Sequence, residues 1–189
     1  FDDADVSNAA MGVIAGIFAA AGQTCIAGSR VFAQRGIYDE LLEKVTARAA
    51  SIVIGDPMAE ETELGPLAFQ AQLDKVSEYV GIGVAEGGRI AYGGGRPEVD
   101  LPGYFFQPTV LTDTTNDMRV VQEEIFGPVA AVMPFDTEEE VLALANDTDY
   151  GLAAGVWTQN LARSMRMSQQ LEAGTIWINM YRAMSPMSA

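Results

Sequence analysis

Apolar positions along the chain change period several times, and each change marks an element. Val6, Ala10, Val13, Ile14, Ile17 and Phe18 recur at three- and four-residue spacing, which predicts a helix with acids in its first turn and Gly22 placed to stop it. RVFAQ, residues 30–34, reads as a short strand. Residues 38–52 read as an amphipathic helix through Leu41, Leu42, Val45, Ala49 and Ile52. A turn-rich acidic loop, GDPMAEETELGP, comes next, then a helix over residues 67–87 and strands around RIAYGG and FFQPTVLTD.

Beyond residue 127 the alternation becomes regular. PVAAVMPF is an unbroken apolar strand, and TEEEVLALAND is a helix with Thr137 and Glu140 spaced as a capping box. AAGVWT, NLARSMRMSQQLEAG and GTIWIN read as strand, helix and strand. Continuous apolar strands separated by helices predict an α/β fold of three αβα layers, with a largely parallel sheet covered on both faces. No repeat, low-complexity tract or linker divides residues 1–189, so a single domain is expected. The chain opens on Phe1 and stops just after an apolar strand, the pattern expected of a domain taken from a longer polypeptide.

Composition narrows the function. Apolar residues at 49% and charged residues at 20% are those of a globular domain, and the ten-residue apolar stretch VIAGIFAAAG is too short to span a bilayer, so no membrane partner is expected. The net charge of −15, with dispersed basic residues, argues against nucleic acid. One cysteine cannot form an internal disulfide, which makes a cytoplasmic location the default. The sequence has no histidine, so neither Ser-His-Asp nor Cys-His catalysis can be assembled from it.

Two strings stand out chemically. AGQTCIAGSR brackets Cys25 with Gly22 and Gly28, and Gln23 and Thr24 add polarity that a buried strand would not favour. A free cysteine is commonly a small buried apolar residue, but here the thiol could also be exposed. QEEIFGPV runs two acids into Phe126, a Gly-Pro break and an apolar strand; it could be a solvated strand start or a site for a ligand's hydroxyls and planar ring. The glycine runs at 87–88 and 93–95 lack phosphate-loop spacing and read as turns. The methionines between 165 and 187 read as core or interface filler.

Together the two strings resemble the NAD(P)-dependent aldehyde dehydrogenase superfamily, in its C-terminal, cysteine-bearing catalytic domain. FAAAGQTCIAGSR is similar to that family's Gly-Gln-x-Cys segment and EEIFGPV to its cofactor-contact segment. FDDADV, ELGPL, GYFFQPTVL, NDTDYGLAAGVWT and AGTIWIN match in order, so the resemblance covers essentially the whole chain. It implies that Cys25 is the nucleophile that attacks an aldehyde, passing through a thiohemiacetal and a thioester to the carboxylic acid. It implies that the Cys25 N–H is one oxyanion donor, that Glu124 binds the ribose on the nicotinamide side, and that Phe126 lies against the nicotinamide end. NAD or NADP is the implied cofactor, a small aldehyde the implied substrate, and a homodimer or homotetramer the implied assembly.

The departures are as specific. The family's general-base glutamate, its oxyanion asparagine, its dinucleotide-binding domain and its oligomerisation arm are all expected outside this sequence. The isolated segment is therefore expected to be inactive. Alternatives are an acylating dehydrogenase, in which coenzyme A takes the acyl group, and a non-catalytic homologue that acts in binding or assembly. A thiol peroxidase or hydrolase is disfavoured, because there is neither a second cysteine nor a histidine. The substrate tunnel is expected to involve residues near Thr24 and Ile26 and the loop NMYRAMSPMS.

Overall fold

A computed structural model of the chain describes residues 1–182. Met184, Met187 and most of the NMYRAMSPMS loop, expected above to be filler and part of the substrate tunnel, lie outside the described residues. Helix α1 (Val6–Ile17) starts where the Asp5 carboxylate accepts from the Asn8 N–H at 3.0 Å. It passes into a 3₁₀ turn at Ala19–Gly22, and β1 (Arg30–Gln34) then runs straight into α2 (Arg35–Ala50). That start is three residues earlier than periodicity predicts, because the first turn, Arg35 to Ile37, contributes no buried apolar residue.

Helix α3 (Gln70–Ala85), β2 (Arg89–Tyr92), β3 (Thr109–Thr112), the single-turn α4 (Arg119–Gln122) and β4 (Val129–Phe135) follow. Too short to show a period, α4 is not legible in the sequence. The chain then continues through α5 (Glu138–Asn146), β5 (Ala153–Val156), α6 (Leu161–Gln170) and β6 (Thr175–Ile178). The expected capping box is formed: Thr137 Oγ1 accepts from the Glu140 N–H, and the Glu140 carboxylate accepts from the Thr137 N–H.

Four strands form a sheet in the order β1-β4-β3-β2, parallel except for the β2 edge, and β5 and β6 form a separate parallel pair. Strand β4 is central, and alternate residues feed different faces. Ala130 and Val132 pack with α1 and α2, whereas Val129, Ala131 and Met133 pack with α3 and α4. A strand buried on both sides must be apolar throughout, which accounts for PVAAVMPF. Phe135 joins Val141, Val156 and Met167 in a third cluster that carries α5 and α6 across to the smaller sheet. Helices thus cover both faces, as expected of three αβα layers. Among the described residues no helix is long and apolar enough to cross a membrane.

Candidate active site

The parallel pairing of β1 with β4 is what assembles the site. Arg30 stands opposite Ala131, so the segments leading into the two strands emerge side by side, and the Ala131 N–H donates to the Ser29 carbonyl at 2.8 Å. One leading segment carries Cys25 and the other carries Glu124 and Phe126. All three line one cavity, whose volume of about 430 Å³ includes the trench between β1 and β5. Ligands of open α/β sheets ordinarily sit beyond the carboxyl ends of strands. Here the chemistry-bearing residues lie at the amino ends.

The cysteine segment is built on unusual backbone. Ala20, Ala21 and Gly22 have φ of 54°, 54° and 68°, three consecutive left-handed residues. Each alanine costs about 1–2 kcal/mol in that region. The Arg182 guanidinium braces the turn by donating to the carbonyls of Ala15 (3.2 Å) and Ala19 (3.4 Å). The Gln23 side chain accepts from the Ala68 N–H at 3.0 Å. The Ala27 N–H donates to the Thr24 carbonyl at 3.0 Å, closing a tight turn that leaves Cys25 exposed at its corner. Among the described residues the Cys25 N–H and thiol have no hydrogen-bond partner, so both are available to a ligand.

The two acids of the second segment have separate jobs. Glu123 accepts from Arg119 at 2.8 and 3.0 Å and from the Tyr79 hydroxyl at 2.5 Å. The Arg119 and Tyr79 hydrogen bonds hold its carboxyl down at about 2, and the bond to Glu123 raises the Tyr79 hydroxyl. Glu124 is exposed, and among the described residues its carboxylate has no partner; only its carbonyl is engaged, by Lys75 Nζ at 2.6 Å. The Gln72 amide, almost fully buried, donates to the carbonyls of Ile125 (2.9 Å) and Phe126 (2.8 Å). Phe126, at φ 57°, is thereby held with 36% of its surface open. Glu124 thus brings a carboxylate and Phe126 a part-exposed ring to the same cavity, groups able to take up hydroxyls and a flat ring.

Gln72, Lys75 and Arg182 were missed by sequence reasoning. Gln72 had a signal: it shares the stripe of Val76 and Val80, an amide among apolar residues on a helix's buried face.

Comparison with known proteins identifies the family. The model of the aldehyde dehydrogenase family matches residues 1–189. A betaine aldehyde dehydrogenase of Sinorhizobium fredii is 52% identical over 96% of the chain, which spans 37% of that relative's length. The NAD+ complex of an aldehyde dehydrogenase from Bacillus cereus superposes with a TM-score of 0.94 at 45% identity, covering 98% of this chain and 37% of that one. A point mutant of Staphylococcus aureus betaine aldehyde dehydrogenase, in complex with NAD+, gives a TM-score of 0.95 at 40% identity over 97% of this chain and 38% of its own. The sequence motifs, the fold and the relatives converge: the chain belongs to the aldehyde dehydrogenase family.

Proposed function

We propose that residues 1–189 are the cysteine-bearing catalytic domain of a cytoplasmic, homo-oligomeric NAD(P)-dependent aldehyde dehydrogenase whose cofactor domain and oligomerisation arm lie elsewhere in a longer polypeptide. The observation that carries this reading is that Cys25, Glu124 and Phe126, 99 or more residues apart across the thiol and acid segments, line one cavity.

The Cys25 thiolate attacks the aldehyde carbon, forming a C–S bond, and the Cys25 N–H donates to the oxygen as it gains charge. A nicotinamide cofactor held by Glu124 and Phe126 would supply the hydride acceptor needed to oxidise this thiohemiacetal to a thioester. Water then breaks the C–S bond, releasing the carboxylic acid and restoring the thiol. Glu124 accepts from the ribose hydroxyls, and Phe126 orients the ring. Tyr181, which also lines the cavity, bounds the substrate side.

The test is NADH and NADPH formation by the natural full-length polypeptide over aliphatic, aromatic and amino aldehydes. Betaine aldehyde leads the panel, because relatives at about half identity bear that name. Turnover that disappears in Cys25→Ser while NAD binding persists supports the reading. Turnover by the variant, or binding of NAD with no aldehyde oxidised, overturns it. Product analysis for acid against acyl-coenzyme A identifies the acyl acceptor.

A further inference from the structure

The thiol turn is held differently at its two ends. Downstream, the Gly28 N–H donates to the Gly16 carbonyl at 3.2 Å and the Ser29 carbonyl accepts from the Ala131 N–H at 2.8 Å, so helix and sheet both grip it. Upstream, the chain leaves the left-handed turn at Gly22, whose backbone packs on that of Gly127. A contact at one point fixes a distance and leaves rotation about it free. Residues 23–27 span the gap, closed by the bond from the Ala27 N–H to the Thr24 carbonyl, and Cys25 stands in their middle.

Helix α3 holds the acid segment along its whole length. Gln72, Lys75, Val76 and Tyr79 recur at i, i+3, i+4 and i+7, which places them on one face. Tyr79 donates to the Glu123 carboxylate, Lys75 to the Glu124 carbonyl, and Gln72 to the carbonyls of Ile125 and Phe126. Val76 lies so close to Gly127 that a Cβ there would overlap it. The same stretch of chain also reaches the thiol turn. Ala68, two residues before the helix, donates its N–H to Gln23 Oε1 at 3.0 Å. Buried Leu67 anchors Ala68, its own N–H donating to the Tyr104 carbonyl at 3.0 Å. Ala68 is exposed, so water could satisfy its N–H. What the bond adds is a fixed end for Gln23, whose long side chain gives up rotamer freedom to make it.

We propose that Gln23 is a positioning residue for the Cys25 thiol: by accepting from Ala68 it references the thiol turn to α3, the helix that holds the segment of Glu124 and Phe126. The inference rests on the catalytic reading of Cys25 above. Nucleophile and cofactor-binding groups then take their spacing from one helix, and the turn cannot rotate about the Gly22 contact. Attack geometry is unforgiving, since a displacement of about 1 Å costs on the order of 100-fold in rate.

Two substitutions in the natural full-length polypeptide separate the amide oxygen from the rest of the side chain. Gln23→Met has nearly the same length and no acceptor for Ala68, whereas Gln23→Glu keeps one. The bond is at the surface, so the fold is expected to survive its loss. Single-turnover hydride transfer at saturating cofactor should fall about 10- to 100-fold in Gln23→Met, with KM for the cofactor changed by less than about twofold. Gln23→Glu should recover most of that rate on the alkaline plateau of its pH profile, where the added carboxylate no longer suppresses the thiolate. An unchanged rate in Gln23→Met, or a plateau as low in Gln23→Glu, overturns the proposal. So does a cofactor KM that rises in step with the fall in rate.

Alkylation of Cys25 with bromotrifluoroacetone gives a readout that needs no turnover, the fluorine resonance being assigned by its absence in Cys25→Ser. One narrow line is expected in the natural protein and in Gln23→Glu, and a broadened or split line in Gln23→Met. Identical spectra in all three overturn the proposal. The expected spectra without aldehyde oxidation would count against the catalytic reading alone.

Discussion

Gly22 and Gly127 are packed backbone against backbone: a Cβ on Gly22 would overlap the Gly127 carbonyl and stand 2.8 Å from Pro128 N. The cysteine segment and the acid–aromatic segment are thus fixed to each other at one point. Gly22→Ala adds a methyl to this contact and places a side chain at φ 68°. The left-handed backbone alone costs about 1–2 kcal/mol. Chemical denaturation of the natural polypeptide should show a loss above that value, together with loss of NADH formation.

Ala20 lies in the same left-handed turn but is exposed, and its methyl is not part of the core. Ala20→Gly removes a steric cost at the expense of some unfolded-chain entropy, for an expected net gain of about 0.5–1 kcal/mol. A rise in thermal midpoint checks this. A fall would show that the turn relaxes to ordinary helical geometry outside this conformation.

Gln72→Leu leaves the Ile125 and Phe126 carbonyls without their buried donor. The expected loss of stability is about 1–3 kcal/mol. Because Phe126 would no longer be held in place, KM for the cofactor should rise more than KM for the aldehyde. Equal changes in the two would mark Gln72 as a packing residue only.

Glu124→Gln keeps the shape of a side chain that has no partner among the described residues, so the folded protein should be unaffected. Cofactor binding and the hydride-transfer rate should fall together. Unchanged cofactor kinetics would remove Glu124 from the site.

Glu123 gives a pH signature of the opposite kind. Its folded pKa of about 2 lies below the ordinary 4.5, so its contribution to stability is fully present above about 4.5. It disappears as pH falls through about 2. Urea midpoints of the natural protein and Glu123→Gln should differ at neutral pH and converge across that window. A constant difference down to pH 2 would exclude the Arg119–Glu123 pair as its source.

Much of this was legible in the sequence, and for physical reasons. Periodicity found every helix longer than a turn because each buries a stripe, and it found β4 because both its faces are buried. The division of labour between Glu123 and Glu124 was not legible as a contact pattern. It depends on Tyr79 and Arg119, which α3 and α4 bring to one of two adjacent carboxylates. Arg182 was equally hidden, since its partners are carbonyls more than 160 positions away. Nor could periodicity show that β5 and β6 pair apart from the main sheet, because strand order leaves no trace in alternation.

The β1–β4 register makes site formation an all-or-none event in folding. A slip that kept the same residues facing each helix layer would have to be two residues. It would slide Cys25 past Glu124 by roughly 6.6 Å. No partly aligned sheet could then retain a weakened site, and a refolding chain should regain catalytic competence only as fast as these two strands find their single correct alignment.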